Sequence, residues 1–172
     1  MLLYPYKPSW ADDYKAIVTE IYKKIDCQDI AFHHIGSTSI IGLAAKAIID
    51  IDISYDKLSS FLVIKKGLER IGYRHAGDQG IRGREVFKRI TRNEVHPTLD
   101  SIDHHLYFCH AENEEFKRHL KFRDHLRNNP HARNQYEALK HRIAILAHQN
   151  KKEYALLKET KARDFIEEIL RR

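Results

Sequence analysis

The sequence predicts an α+β fold, a small mixed β-sheet with flanking helices followed by a helical C-terminal part. One observation is the run Ile48–Ile53, which is isoleucine apart from Asp50 and Asp52 and is typical of a buried strand. The other is the change of pattern at Ala111, after which apolar residues recur at helical spacing. The 172 residues suffice for one well-cored domain, so we expect a single domain over residues 1–172. Its α+β core covers about 1–110 and its helical part about 111–172.

Helical and strand-like segments alternate in the first 110 residues. Ser9–Asp12 has the form of a capping box, and it predicts a helix that runs to about Ile25. A second helix is expected over Lys57–Ile71, where Leu58 and later apolar residues recur at helical spacing, and it ends at Gly72. Strands are predicted at 31–35, 48–53, 73–75, 85–90 and 104–109, with a turn and short helix at 36–43, an exposed loop at 79–84 and a polar connection at 91–103.

Three helices are predicted after Ala111. The first covers about Glu112–Asn128. Asn129-Pro130 ends it and starts the next, because asparagine can cap a helix and proline suits the first helical position. The second helix covers about Pro130–His148 and the third Lys151–Leu170.

Composition narrows the class of protein. No run of 18 apolar residues is present and the N-terminus lacks the form of a signal peptide, so we expect a cytoplasmic protein without a membrane partner. Cys27 and Cys109 are far apart and are expected to be reduced thiols. The net charge is +6, and residues 111–172 hold 15 Lys and Arg against 10 Asp and Glu. Such a basic part can attract nucleic acid, but the interleaved signs favour a solvated surface.

Asp50 and Asp52 are the main candidates for catalysis. Residues two apart on a strand share a face, so both carboxylates are expected to point the same way. Two buried carboxylates repel unless a cation or donor lies between them, and a hard divalent metal is the usual solution. We therefore predict a Mg²⁺ or Mn²⁺ site at these residues. If repulsion dominates without metal, Asp52→Asn should leave stability unchanged or raise it.

A small polar turn precedes this strand. Gly36 and Ser37 lie fourteen and thirteen residues before Asp50, within His34-Ile35-Gly36-Ser37-Thr38-Ser39. In such a turn the backbone can approach a phosphate closely. The hydroxyls of this turn can also cap the short helix that follows, and both roles are compatible. A glycine-serine turn followed by a D-x-D strand is how nucleotidyltransferases hold a metal-bound nucleoside triphosphate. Gly36, Ser37, Thr38, Lys46 and Arg84 are accordingly the predicted nucleotide-binding residues, the last two by position only.

A third metal ligand is expected from a neighbouring strand, and His104–Cys109 is the candidate strand. It has no carboxylate in its interior, so His105 is the predicted ligand and Asp103, at its mouth, is the alternative. His105 can equally be a histidine with a purely structural hydrogen bond. A separate zinc site at His104, His105, Cys109 and His110 is disfavoured, because neighbours on a strand alternate faces and no second ligand pair has finger-like spacing.

These residues resemble the GrpB family, a branch of the nucleotidyltransferase superfamily with a polymerase-beta-type fold. The match covers nearly the whole chain and includes Tyr4-Pro5 to Trp10, His34–Ser39, Gly42-Leu43-Ala44-Ala45-Lys46, Ile48–Ile51, Phe122–Arg127 with Asn129-Pro130, Tyr136-Leu139-Lys140 and Tyr154-Lys158-Lys161. The chain departs from the family's pattern at Ile41 and Ala47, where prolines are usual. It also has Tyr107 where the second histidine of an H-x-H pair is often found, the first matching His105.

The resemblance implies transfer of a nucleotidyl group from a nucleoside triphosphate to an unknown acceptor. Asp50, Asp52 and His105 are then the predicted catalytic and metal-binding residues. The alternative is a non-catalytic nucleotide- or metabolite-binding module that kept the fold without a third carboxylate. A histidine or carboxylate within about 5 Å of the aspartates favours metal chemistry. A tyrosine and apolar side chains at that position favour binding alone.

Overall fold

The structure, a computed structural model, describes residues 1–25, 27, 29–57, 59–90 and 95–171. The helices are α1 (Ser9–Tyr22), α2 (Ser59–Arg70), α3 (Glu114–Asn128), α4 (Pro130–Leu146), α5 (Lys151–Lys161) and α6 (Arg163–Arg171). The strands are β1 (Ile30–Ile35), β2 (Ile49–Tyr55), β3 (Tyr73–His75), β4 (Arg84–Arg89) and β5 (His104–His110), with a short 3-10 turn at Ser37–Ser39. The predicted α+β architecture is confirmed, with a mixed sheet, flanking helices and a helical C-terminal part.

The sheet has the strand order β1-β2-β5-β4-β3 in the described part of the chain. β2 runs antiparallel to β1 and parallel to β5, and β4 runs antiparallel to β5 and to β3. The run of isoleucines in β2 follows from this order, because a strand with neighbours on both sides has little contact with water. The D-x-D strand is therefore an interior strand, as its composition predicts.

Two hydrophobic clusters hold the elements together. The first lies between one face of the sheet and the helices α1 and α2, and it contains Ile17, Ile51, Leu68 and Leu106. The second contains residues of all four helices α3, α4, α5 and α6. It also includes Ile40 and Leu43 of the segment that follows the 3-10 turn. The turn with Gly36 and Ser37 therefore lies where the sheet meets the helical part. The prediction of one domain over residues 1–172 stays a prediction.

Two predicted helix features are wrong. The capping box fails because Pro8 (φ −56°, ψ −30°) is the N-cap residue, so Ser9 is already helical and no side chain caps α1. The predicted helix Lys151–Leu170 is two helices that meet at Ala162, which is fully buried (0% exposed) in the second cluster. The break lets α6 bury Ile169 in the same cluster.

Other local predictions are confirmed. Asn129 caps α4 by accepting a hydrogen bond from the N–H of Ala132 (3.0 Å), and Pro130 begins the helix. Gly72, with φ +91°, follows the end of α2 and turns the chain into β3. Leu58 of the predicted second helix, and residues 91–94 of the predicted polar connection, lie outside the described residues. None of the helices in the described ranges has the length and apolar character needed to cross a membrane.

Candidate functional site

Asp50 and Asp52 share the face of the sheet that looks toward α3. Asp50 lies opposite His105 on β5 and Asp52 opposite Tyr107, in the parallel register of the two strands. The side chain of Asp50 is 28% exposed and that of Asp52 is 0% exposed. The pair thus offers one carboxylate that a ligand can reach and one buried behind it.

The carboxylate of Asp50 lies directly against Gly36. A Cβ on residue 36 would stand 2.3 Å from Oδ2 of Asp50, a separation that no real atom pair of this kind tolerates. Gly36 also has φ +68°, in the region that favours glycine. The glycine turn and the D-x-D strand, fourteen residues apart in the chain, are therefore in contact.

His105 is the histidine that contacts Asp50. Its Nδ1 is 2.8 Å from Oδ1 of Asp50, and the side chain is 51% exposed, so a ligand can reach the ring. Tyr107 lies beside it, with ring centroids 6.2 Å apart. Burial raises the pKa of the Tyr107 phenol, so it stays protonated. Asp103 is exposed at the start of β5, and its carbonyl oxygen accepts a hydrogen bond from Ile49.

His119 on α3 is a site residue that the sequence did not reveal. Its Nδ1 lies 2.8 Å from Oδ2 of Asp52, and its Nε2 lies 3.3 Å from Oε1 of Glu115. Burial disfavours the charged ring, but the hydrogen bonds to Asp52 and Glu115 outweigh it and raise the pKa of His119 to about 9. The sequence places Glu115 and His119 four residues apart, on one face of a predicted helix. No local sequence pattern indicates that this helix face packs against β2.

The carboxylate oxygens of the two aspartates fit a hard divalent cation whose remaining ligands are water and substrate oxygens. Oδ1 of Asp52 is buried and has no hydrogen-bond partner in the structure, so one carboxylate oxygen is left for a cation. Among the described residues, no three His, Cys, Asp or Glu side chains are placed to hold a metal by themselves. Mg²⁺ is usually bound through one or two carboxylates together with water and substrate phosphates. The residues present suit that arrangement better than a closed site of protein ligands.

The hydroxyls of the glycine turn have different environments. Thr38 is buried, and its Oγ1 lies 3.1 Å from Nε2 of His34 and donates to the carbonyl oxygen of Ile48 (3.3 Å). Ser39 donates to the carbonyl oxygen of Gly36 (2.7 Å). Ser37 is half-buried and faces Lys140, whose Nζ donates to its Oγ over 3.2 Å. Ser37 is thus the hydroxyl best placed for a ligand, whereas Thr38 holds the turn in shape.

Two arginines of α3 donate hydrogen bonds to backbone carbonyl oxygens of the same turn. Arg123 donates to the carbonyl oxygen of His34 (3.1 Å), and Arg127 donates through two nitrogens to that of Ser39 (2.8 and 3.1 Å). Burial and Arg127 lower the pKa of His34 to about 4, so its ring is neutral. These bonds fix the turn against the helical part.

Lys46, Lys140 and Lys158 are linked by their charges, because Lys158 acts on both of the others, and only Lys46 was predicted as a site residue. Lys46 is half-buried, with Nζ 5.5 Å from the ring centre of Tyr154. Burial, with Lys158 and Lys151 nearby, lowers the pKa of Lys46, while Asp50 opposes the change. Burial and Lys158 lower the pKa of Lys140 to about 7. Tyr136 contributes most to raising the pKa of Lys158.

Arg84 approaches this group from β4. Its backbone lies beside that of Cys109 in the register of β4 and β5, four residues along β5 from His105. Its guanidinium is 4.8 Å from the ring centre of Tyr107, which lies opposite Asp52, and its Nε is buried without a hydrogen-bond partner among the described residues. The structure thus brings together Gly36, Ser37, Asp50 and His105, with Lys46 within electrostatic reach of Asp50 and the guanidinium of Arg84 over Tyr107.

The histidines of the disfavoured zinc site are separated. His104 turns to the opposite face from His105, where its Nε2 lies 2.5 Å from the hydroxyl of Tyr73. Cys109 is buried, which raises the pKa of its thiol to about 12 and leaves it protonated. A groove of about 560 Å³ between α3, α4 and α6 contains none of the predicted site residues.

The comparisons agree with this fold. The family model described as GrpB protein matches residues 1–172. The UPF0157 protein YqkA of Bacillus subtilis is 32% identical over 139 residues, which are 81% of this chain and 38% of that protein. The glutamate-rich protein GrpB of Alkalihalophilus pseudofirmus is 32% identical over 140 residues, 78% of this chain and 74% of that protein. The chain therefore spans well under half the length of YqkA.

A solved structure, that of the conserved protein GrpB from Enterococcus faecalis, has a TM-score of 0.78 and 27% identity to this chain, covering 98% of it and 97% of the other. Cid1, solved in complex with its short product ApU, has a TM-score of 0.43 and 15% identity over 72% of this chain and 39% of that one, too weak a likeness to support an inference. The full-length family match and the agreement of the two folds lead to one conclusion: this chain belongs to the GrpB family.

Proposed function

We propose that this protein transfers a nucleotidyl group from a nucleoside triphosphate to an acceptor hydroxyl, with Mg²⁺ or Mn²⁺ as cofactor. One observation supports this most strongly. The carboxylate of Asp50, with that of Asp52 behind it on the same face, lies directly against the Gly36 turn. A carboxylate pair beside a glycine-serine turn provides metal ligands and a phosphate cradle within one ligand's reach.

Each residue has a role in this proposal. Asp50 and Asp52 hold the cation, for which the unpartnered Oδ1 of Asp52 is available. When bound, the cation neutralises phosphate charge and orients the nucleotide. The Gly36 backbone and the Ser37 hydroxyl cradle the phosphates, and Lys46 offsets the charge of departing pyrophosphate. Arg84 contacts another part of the bound ligand from β4, because its guanidinium lies over Tyr107, opposite Asp52.

His105 takes the proton in this reaction. The acceptor oxygen bonds to the α-phosphorus, the bond from that phosphorus to the bridging oxygen breaks, and pyrophosphate leaves. Asp50 fixes Nδ1 of His105 through the 2.8 Å contact, so Nε2 can accept the hydroxyl proton. Tyr107 cannot replace a second histidine as a metal ligand, because its buried phenol stays protonated. The cation would therefore depend on the two aspartates, water and the phosphates.

His119 positions Asp52. The contact to Oδ2 fixes the orientation of the carboxylate, and Oδ1 has no hydrogen-bond partner among the described residues. The positive charge of His119 also lowers the repulsion between the two carboxylates before any ligand binds.

Label transfer tests the proposal. The protein is incubated with each α-³²P-labelled nucleoside triphosphate, Mg²⁺ or Mn²⁺ and a cell extract, and transferred label is separated by size and charge. We expect transfer by the wild type and by Asp56→Asn, a control at the exposed residue just after β2, and a loss of at least about 100-fold in Asp50→Asn. Transfer by Asp50→Asn at the wild-type rate would contradict the proposal.

A second candidate, a nucleotide- or metabolite-binding module, is favoured by one observation. Each aspartate already has a histidine hydrogen-bond partner at 2.8 Å, so both carboxylates have a polar partner without a cation. Triphosphate binding that does not depend on divalent cation, with no label transfer to any acceptor, would select this candidate.

A further inference from the structure

We propose that Lys140 and Lys158, on two different helices of the helical part, form with Ser37 a subsite for the polyphosphate chain of the ligand. This inference deepens the proposed function and rests on it for the identity of the ligand as a nucleoside triphosphate. The subsite selects triphosphates over monophosphates, because several lysines can each contact a different phosphate of an extended chain.

Lys140 is a buried cation that reaches the turn. Its side chain is 1% exposed, yet it extends from α4 to donate to Oγ of Ser37 (3.2 Å) and to the carbonyl oxygen of Ala44. The ring of Tyr136 lies beneath it, with Nζ 5.1 Å from the ring centre. Buried lysines are rare unless they are paired with an anion. A phosphate oxygen bound to Ser37 would meet this ammonium.

Lys158 lies on α5, one helical turn after Tyr154, and the ring centre of Tyr154 is 5.5 Å from Nζ of Lys46. Tyr136 and Asp50 both act on the charge of Lys158. Asp50 acts on Lys46 as well. Lys46 and Lys158 therefore lie within electrostatic reach of the accessible carboxylate, and an extended ligand bound there can reach them.

The charge of this cluster is not balanced by protein groups. Among the described residues, no carboxylate oxygen lies within 4 Å of the ammonium nitrogen of Lys46, Lys140 or Lys158. Lys158 lowers the pKa of both other lysines, so its charge repels that of Lys46 and that of Lys140. Glu137, the acid that acts on Lys140, is already bonded to the N–H of Ala44 (3.0 Å). Cations that repel one another at a polar turn match a ligand with several negative charges.

Binding of inorganic tripolyphosphate without metal tests the subsite. Titration calorimetry in EDTA and moderate salt compares wild type with Lys140→Met, Lys158→Met and the matched control Lys161→Met, an exposed lysine on α5. Methionine keeps the length of the side chain and its packing, and circular dichroism verifies that each variant is folded. Orthophosphate serves as the short probe.

We expect tripolyphosphate to bind wild type and Lys161→Met equally, and orthophosphate to bind at least about tenfold more weakly. Lys140→Met and Lys158→Met should each weaken tripolyphosphate binding about tenfold or more, the usual scale for a lost charge-assisted hydrogen bond. Asp50→Asn should bind at least as tightly as wild type, because a like charge is removed. Lysine-dependent binding with no label transfer would retain the subsite and reject the proposed reaction. Equal binding by all lysine variants, or none by wild type, would reject the subsite.

Discussion

Nδ1 of His119 lies 2.8 Å from Oδ2 of Asp52, and this contact joins the most buried carboxylate of the sheet to the first helix of the helical part. The histidine carries a proton at neutral pH because its two carboxylate partners raise its pKa to about 9. Asp52, which is 0% exposed, is therefore paired with a cationic histidine even without metal. Removing His119 leaves Asp52 buried without this partner, and removing the carboxylate of Asp52 leaves His119 with Glu115 alone. Either change is costlier than losing an exposed ion pair.

Asp52→Asn is expected to destabilise the protein, contrary to the sequence-based expectation of unchanged or higher stability. A neutral amide at residue 52 would no longer offset the positive charge of His119. The free energy of unfolding should therefore fall by about 2–3 kcal/mol. Urea unfolding in EDTA measures the change. The control Asp56→Asn, exposed at the end of β2, should change it by less than about 0.5 kcal/mol.

His119→Leu completes a double-mutant cycle with Asp52→Asn. The single change should cost about 3 kcal/mol, because the buried carboxylate of Asp52 loses its hydrogen-bonding partner, and the double mutant should lose clearly less than the sum of the two. Additive losses would mean that the two side chains do not interact. An Asp52→Asn protein as stable as the wild type would restore the view that the two aspartates mainly repel each other.

The sequence predicted the strands and the shared face of Asp50 and Asp52 because both follow from local periodicity. Alternation places residues 50 and 52 together whatever the rest of the fold does. The contact of Asp50 with His105 was also within reach, since strands 48–53 and 104–109 were both predicted from composition. The capping box failed because Pro8 moved the helix start by one position, a competition between two local signals.

The sequence did not predict His119, Lys140 and Lys158 as site residues because their roles depend on how helices pack. A helix has several faces, and amphipathicity does not say which element each face meets. The break at Ala162 had no local signal either, since alanine is the best helix former. That break follows from burial of Ala162 between α5 and α6, a property of the assembled helical part.

Gly36→Ala is expected to disturb the site directly. The new Cβ would overlap Oδ2 of Asp50, and the backbone would be held at φ +68°, so the free energy of unfolding should fall by about 2–4 kcal/mol. Gly42→Ala is the matched control, because Gly42 has φ +80° but its nearest neighbours would be 3.8 Å away. It should cost only the backbone strain, about 1 kcal/mol. Equal losses in both variants would show that the Asp50 contact contributes nothing.

Mn²⁺ binding is expected to depend on Asp50 and on nucleotide. Calorimetric titration of the wild type should give an affinity that rises when ATP is present, because two carboxylates alone leave most coordination positions to water and phosphate. Asp50→Asn should weaken binding about tenfold or more, whereas Asp56→Asn should not change it. Indistinguishable curves for wild type and Asp50→Asn would remove the metal from the proposed function.

The lowered pKa of Lys140 predicts that its contribution to the free energy of unfolding changes with pH. Its pKa is lowered by burial and by Lys158 to about 7 in the folded protein, whereas it is near 10.5 in the unfolded chain. Between these values the unfolded chain binds a proton that the folded protein does not, so the contribution of Lys140 to stability rises with pH. Below about pH 7 both states hold the proton, and the full cost of burying the ammonium is present.

The measurement compares wild type with Lys140→Met by urea unfolding between pH 6 and 9. Groups common to both proteins cancel in the difference. The free energy of unfolding of the wild type should gain about 2 kcal/mol relative to the variant between pH 7 and 9, and the difference should be nearly constant below pH 7. Lys161→Met should show no such trend, because that exposed ammonium is hydrated in both states. A difference that stays constant to pH 9, or falls, would mean that the buried ammonium of Lys140 keeps its proton and is stabilised by the groups around it.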